Sequence, residues 1–220
     1  MQRRKVEDAE EVMRHMDGKG VEPDVVTYNV IIDGYCLRGQ MDRARSLFDS
    51  MIDKSIKPNI FSYSILINGY CKKKKLDESM HLFYEISRNG LNPSIVTYST
   101  ILKGLFDAGR TDFAEKFFAE MLSTGLKPDL CTNCILLGGY FHNGLVKKAM
   151  LLFHELEIKR EDTYIQLYNV VQGFLKFSKI SEMITFLKEM TGNDFSFDAS
   201  TVELLIDVIA KDPSLLNMIP

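Results

Sequence analysis

Hydrophobic positions along this chain follow two interlocked spacings. Over short windows they fall three and four apart: Tyr28, Ile31, Ile32 and Tyr35 in one stretch, then Ala44, Leu47, Phe48 and Met51 in the next. That spacing lines one face of a helix. Over a longer range the pattern returns every 35 residues, through Gly34, Gly69, Gly104 and Gly139, through Phe48, Phe83, Phe118 and Phe153, and through Pro23, Pro58, Pro93 and Pro128. VTYNVIIDGYC at 26–36 comes back as FSYSILINGYC at 61–71. A fixed period of this size marks a stacked repeat. No segment shows the alternation of a half-buried strand.

Counted from Val25, complete units span 25–59, 60–94, 95–129, 130–164 and 165–198, the last one residue short. Residues 1–24 form a second half-unit and 199–220 a first half-unit, so that 1–220 is a single array. Each unit reads as two helices. The first is predicted to start near Thr27-Tyr28-Asn29 and to stop at Gly39, Gly109 or Gly144, because glycine tolerates the left-handed conformation of a helix end. Lys74 and Ser178 fill that place in the other units. The second helix is predicted to begin at Asp42, Asp77 and Asp112, read as N-caps. In the third unit it carries Ala114, Phe117, Phe118 and Met121 on one face. Each unit closes on KPN, NPS or KPD, where proline stops the helix.

One such helix pair cannot bury its own apolar face, whereas stacked pairs share a continuous core. The expected fold is therefore all-α, a right-handed α-solenoid of helix-turn-helix repeats. Gly34, Gly69, Gly104, Gly139 and Gly173 sit mid-helix at a cost of about 1 kcal/mol each against Ala. Close approach between helices accounts for them.

Composition narrows the function classes. Hydrophobic residues make up 45% and charged residues 26%, a folding composition. No apolar run reaches the roughly 18 residues of a membrane span, so no membrane partner is expected. Met1 is followed by QRRKVEDAEEV, which reads as neither a signal nor a transit peptide. The net charge of −3 argues against strong non-specific binding to phosphates.

VVTYNVIIDGYCLRGQMDRARSLFDSMIDKSIKPN, the unit 25–59, resembles the pentatricopeptide repeat nearly position for position, and the resemblance covers essentially the whole chain. Its C-terminal half is similar to organelle-targeted, fertility-restorer-like members of the P-type. The tetratricopeptide repeat differs, with about 34 residues and a tryptophan signature; this chain has no Trp. The resemblance implies single-stranded RNA as partner, one base per unit, with the fifth and last residues of each unit reading the base. Those are Asn29 and Asn59, Ser64 and Ser94, Ser99 and Asp129, Cys134 and Tyr164, and Asn169 and Asp198. It also implies that the second residues, among them Val26, Phe61 and Val96, sandwich the base. The thirteenth, Lys72 and Lys176 in two units, would meet phosphate. Leu37, Asp107 and His142 hold that place elsewhere.

The chemistry of such a pair can be argued independently. Guanine and uracil carry a ring N–H on their Watson–Crick edge and suit an acceptor-only Asp; adenine and cytosine carry a ring acceptor and suit an Asn amide. A short Ser at the fifth place leaves room for a purine, and a longer Asn favours a pyrimidine. Asn29/Asn59 then reads cytosine with uracil second, Ser64/Ser94 a purine, Ser99/Asp129 guanine and Asn169/Asp198 uracil. Cys134/Tyr164 reads no assigned base. In the unit at 165 a missing residue turns everything after it by about 100° around the helix axis, which offers Tyr168 as the other occupant of the fifth place. The half-unit at Met1 reads as a truncated copy of a longer array, and affinity is expected to be modest.

Other motifs weigh less. Cys131-Thr132-Asn133-Cys134 is a CxxC without a second ligand pair or a thioredoxin-like setting, so no metal or redox role is expected. Cys36 and Cys71 read as small buried residues. No HxE precedes a CxxC, which argues against deaminase chemistry. The run Lys72 to Lys75 reads as a solvated turn with Lys72 alone facing a phosphate. The expectation is a non-enzyme without cofactors that binds single-stranded RNA in the processing or stabilisation of an organellar transcript, with a recruited RNA-processing protein as a further partner. Resemblance points to the mitochondrion, with the chloroplast as the other organelle. A protein-interaction scaffold, or a truncated paralogue with little RNA affinity, are the alternatives.

Overall fold

The computed structural model describes residues 15, 16, 18–158, 202, 203, 206 and 210. Asn169, Lys176, Asp198 and the other expectations placed on the unit at 165 lie outside the described residues, as does Tyr164. Among the described residues eight complete helices of 13 residues each follow one another as α1 (Val25–Leu37), α2 (Met41–Asp53), α3 (Ile60–Lys72), α4 (Leu76–Arg88), α5 (Ile95–Asp107), α6 (Thr111–Ser123), α7 (Leu130–His142) and α8 (Val146–Ile158). There is no strand among the described residues.

Packing follows the repeat. Each helix packs on its pair mate, and α1, α3, α5 and α7 stack directly on one another. The second helix of a unit also leans on the first helix of the next, α2 on α3 and α4 on α5. Helices held between two neighbours bury two sides. Thus α3 buries Tyr63, Ile65, Leu66, Ile67, Gly69 and Tyr70. The outer helices bury one stripe only, as Met41, Ala44, Phe48 and Met51 do on α2.

Aromatic rings join one unit to the next. Phe48 meets Tyr63 edge-on with centroids 5.2 Å apart, and Phe83 meets Tyr98 at 4.9 Å. Such pairs add to their area burial by about 0.5–1.5 kcal/mol each. The fourth unit has Asn133 in the place of that tyrosine. Accordingly Phe118 is only half-buried, and its neighbour Phe117 takes the core position against Phe83, at 4.9 Å.

The mid-helix glycines do mark close approach. A Cβ on Gly69 would stand 2.9 Å from Cys36 Sγ, and one on Gly104 would stand 3.0 Å from Cys71 Sγ. On Gly139 it would stand 2.3 Å from Phe106. Gly69, Gly104 and Gly139 thus each receive a side chain from the unit before. Cys36 and Cys71, expected to be buried, are half-buried at these contacts.

Helix ends correct two expectations. First helices begin at Val25, Ile60, Ile95 and Leu130, two residues before the Thr-Tyr-Asn stretch and its equivalents. Second helices begin at Met41, Leu76 and Thr111, so Asp42, Asp77 and Asp112 lie inside the first turn instead of capping it. There their charge favours the positive end of the helix dipole. Gln40, Lys75 and Arg110 occupy the cap positions and make no side-chain cap bond. Lys74 has φ 58°, the left-handed conformation that Gly39, Gly109 and Gly144 adopt at the same place.

Candidate nucleic-acid interface

The proline that closes a unit leaves the next residue extended. Asn59 has φ −106° and ψ 177°, Ser94 −91° and 164°, and Asp129 −94° and 177°. Each is the true N-cap of the following helix. Asn59 Oδ1 accepts from the Ser62 amide at 3.0 Å, Ser94 Oγ from Thr97 at 3.2 Å and Asp129 Oδ1 from Thr132 at 2.8 Å. Asp24 caps α1 likewise through Thr27, whose amide and hydroxyl hold its carboxyl below the usual value. This duty sorts the atoms. A backbone N–H needs an acceptor, so the amide of Asn59 turns its oxygen inward and leaves its NH2 outside the cap. Asp129 spends Oδ1 on the cap and leaves Oδ2 outside. The helix end therefore presents a donor at Asn59 and an acceptor at Asp129.

The fifth residues lie deeper. Asn29 and Ser99 are only 4% and 6% exposed, and Ser64 is half-buried. All three are recessed instead of projecting from the surface. Ser64 Oγ donates to the Ile60 carbonyl at 2.8 Å and lies 3.2 Å from Thr97 Oγ1. Ser99 Oγ lies 2.9 Å from Thr132 Oγ1. Asn29 Oδ1 is buried without a hydrogen-bond partner.

The second residues have the opposite exposure. Val26, Phe61 and Val96 are 62%, 61% and 62% exposed, the same place in three consecutive units. Cys131 continues the row and is also exposed. A regular ladder of solvent-facing apolar side chains is informative in a way that single exposed apolar residues are not.

These elements converge in a cavity of about 300 Å³ beside α5 and α7. Val96 and Cys131 line it, with Ser99, Asp129, Lys72 and Lys103. The structure thus brings together a second, a fifth and a last residue of one unit with the next unit's second residue and the previous unit's thirteenth. Lys103 is paired with Asp107 at 2.9 Å. Lys72 is exposed and takes part in none of the ion pairs among the described residues. Of the four-lysine run, Lys72 lines the cavity, Lys75 lies 4.0 Å from Glu78 and Lys74 occupies the helix end. Cys134 lines a neighbouring cavity of about 340 Å³ with Cys131 and His142. No cluster of three metal-ligating side chains occurs among the described residues.

Sequence reasoning missed the cap duty of the last residues and the part of the third residues, Ser62, Thr97 and Thr132. The signal was present: each stands three places after a Ser, Asn or Asp at a helix start, the spacing of a capping box.

Stacked helix pairs, an apolar ladder and a recessed row of polar side chains define a helical-repeat protein. Residues 1–37, 23–72, 65–107 and 93–140 match the model of the PPR repeat family, and residues 134–160 match that of the PPR repeat. The chain belongs to the pentatricopeptide repeat family. A curated Arabidopsis thaliana pentatricopeptide repeat-containing protein is 49% identical over 43 residues, which is 20% of this chain and 9% of that protein. The crystal structure of the maize pentatricopeptide repeat protein PPR10 matches with a TM-score of 0.70 at 22% identity, over 83% of this chain and 26% of that one. PPR10 in complex with an 18-nt psaJ RNA element matches with a TM-score of 0.72 at 23% identity, over 81% of this chain and 26% of that one. The PPR domain of Arabidopsis thaliana protein-only RNase P 1, in complex with tRNA, gives 0.56 at 14% identity, over 80% and 93%. This chain therefore spans about a quarter of PPR10. Among the described residues no helix is long and apolar enough to cross a membrane.

Proposed function

We propose that this chain binds single-stranded RNA with sequence selectivity, one base per unit, along the stacked face of α1, α3, α5 and α7, and performs no chemistry on it. The observation that carries this reading is the cavity lined by Val96, Cys131, Ser99, Asp129 and Lys72. It offers an apolar side chain from each of two successive units, polar atoms on the floor and at the rim, and a cation beside them. A planar base between apolar walls, its edge on the polar atoms and its phosphate near the lysine, fits that arrangement. Family membership and the RNA complex of the similar maize protein support it.

The described units read cytosine, purine and guanine in order, with the chain's N-terminus at the RNA 5′ end. Protection of an organellar transcript, or recruitment of a processing enzyme to it, would be the output, in the mitochondrion or the chloroplast. A second reading, a scaffold for a protein partner, is favoured by the net charge of −3 and by Ile52, Phe113 and Leu122 exposed on the outer helices.

Selection from random RNA followed by a salt titration tests the first reading. It expects enrichment of a pyrimidine–purine–guanine core and an affinity that falls with salt. Replacing Ser99 by Asn should move the preference at one base from guanine to uracil. A pool without enrichment would overturn the reading in favour of the scaffold.

A further inference from the structure

Hydroxyl groups in two clefts form chains, and counting their protons gives each chain a direction. Beside the third unit's pair, Thr132 Oγ1 of the next unit lies 2.7 Å from Asp129 Oδ1 and 2.9 Å from Ser99 Oγ. A carboxylate only accepts, so the single Thr132 proton points at Asp129. The contact between Ser99 and Thr132 then requires the Ser99 proton. The chain runs one way, from Ser99 through Thr132 to Asp129. With its proton turned inward, Ser99 shows the cleft only lone pairs, and Asp129 shows Oδ2. Two acceptors side by side match guanine, whose edge carries the N1–H and N2 amino donors together. Adenine and cytosine would set a ring acceptor against the carboxylate, and uracil brings one donor flanked by two carbonyls.

The second unit has the same hydroxyls without the acid. Ser64 gives its proton to the Ile60 carbonyl at 2.8 Å. Thr97 Oγ1 lies 3.2 Å from Ser64 and 2.9 Å from Ser94. Thr97 can therefore donate to Ser64 and accept from Ser94, or donate to Ser94 and release the Ser94 proton toward the cleft. That chain reverses freely, and the cleft accepts either purine.

We propose that Thr132 and Thr97, the third residues of the units that follow, are positioning residues that set the proton direction of the neighbouring base-reading pair and so its choice of base. The inference rests on the RNA reading above. Both side chains are wholly buried, so neither touches RNA itself. It is confined to these two clefts; Ser62 exchanges bonds with Asn59 and makes none with Asn29.

The test is competition binding with single-stranded RNA oligonucleotides of identical flanks that differ at one nucleotide. Thr132→Val keeps the side-chain shape and the backbone N–H that Asp129 caps, but removes the relay. With its proton no longer held inward, Ser99 ceases to be a fixed acceptor for guanine, and the guanine-over-adenine ratio, taken as about tenfold for two good hydrogen bonds, should fall to about threefold, the Asp129 carboxylate still opposing the adenine ring acceptor. Selectivity at the other bases should stay, and Thr132→Ser should restore the ratio. Thr97→Val provides a second arm should the first variant not fold. It releases the Ser94 proton, and the second unit should come to favour adenine over guanine several-fold. Ser99→Ala separates the failures. If Ser99→Ala leaves the guanine-over-adenine ratio unchanged, the base-reading assignment of Ser99 is wrong. If Ser99→Ala lowers the ratio while neither Thr→Val variant changes it, the relay is wrong and the reading stands.

Discussion

Two adjacent glycines in α7 should respond to the same substitution with opposite sign. Gly138 and Gly139 are both helical, so replacing either by Ala gains about 1 kcal/mol of helix propensity. Space separates them. A Cβ on Gly138 meets nothing within 4 Å. A Cβ on Gly139 would stand 2.3 Å from Cγ of Phe106 and 2.5 Å from Cδ2, well inside the 3.4–4 Å of ordinary contact. Phe106 has little room to yield. It is 1% exposed, its ring meets Tyr140 edge-on at 5.4 Å, and its carbonyl accepts from Asn143 Nδ2 at 3.0 Å. Overpacking a filled core costs about 1–3 kcal/mol, and a contact this short belongs at the upper end. Gly138→Ala should therefore stabilise by up to about 1 kcal/mol, and Gly139→Ala should destabilise by about 1–2 kcal/mol net. Gly104→Ala, where the nearest atoms are Cys71 Sγ and Leu76 Cδ2 at 3.0 Å, should fall between them. Urea denaturation followed by circular dichroism measures all three. Phe106→Leu should relieve much of the Gly139→Ala penalty in a double-mutant cycle. A Gly139→Ala variant as stable as the parent, or a cycle without coupling, would refute the account of the glycines as seats for the preceding unit's side chain.

Three further outcomes follow from particular residues. Ser55 and Lys74 hold φ 60° and 58° where corresponding units have glycine; Ser55→Gly and Lys74→Gly should each raise stability by about 1 kcal/mol in the same denaturation assay, because the left-handed conformation strains a Cβ. Lys72→Ala should weaken binding about equally for every RNA sequence and reduce the salt slope by about one, measured by salt titration. Burial, reinforced by the Asp33 carboxylate, pushes the Cys36 thiol from 9.0 up to about 12. Between those values the unfolded chain holds fewer protons than the folded one, so stability falls as pH rises through that window. Cys36→Ala should make the alkaline loss shallower in denaturation midpoints taken across it.

What the sequence showed well was whatever repeats. Period, helix pairing, the apolar stripe of α2 and the glycine seats all follow from spacing, because a stacked array forces the same contact to recur in every unit. What it hid depends on exchange between units. Phe118 keeps the 35-residue step yet is half-buried, because its tyrosine partner in the next unit is Asn133. Asn29 and Ser99, expected from the resemblance to read a base, are almost wholly buried, and Ser99 is held by Thr132 of the following unit. Asp42, Asp77 and Asp112 looked like caps by residue type, but the chain enters the second helix one residue earlier. The Lys72 side of the cleft was legible only through the family resemblance; a lysine at the end of a helix carries no such message by itself.

The double duty of the last residue limits which residues can serve there, and that limit can be tested at Asn59. Its Oδ1 accepts from the Ser62 amide, and Ser62 Oγ accepts in return from the Asn59 amide, a reciprocal capping box at the start of α3. A residue at this place must offer an acceptor to the helix and still have something left for a base. Asn and Asp meet both demands with two side-chain atoms; Ser94 has one oxygen for both. Asn59→Asp should leave the cap intact, hold stability within about 0.5 kcal/mol and move base preference from cytosine toward uracil, since the outward atom changes from donor to acceptor. Asn59→Ala should cost about 1 kcal/mol and lose selectivity at that base alone. The pair separates stability from specificity in a single residue. If Asn59→Asp destabilises as much as Asn59→Ala, the cap does not orient the side chain as described. If both variants keep the cytosine preference, Asn59 caps a helix and reads nothing.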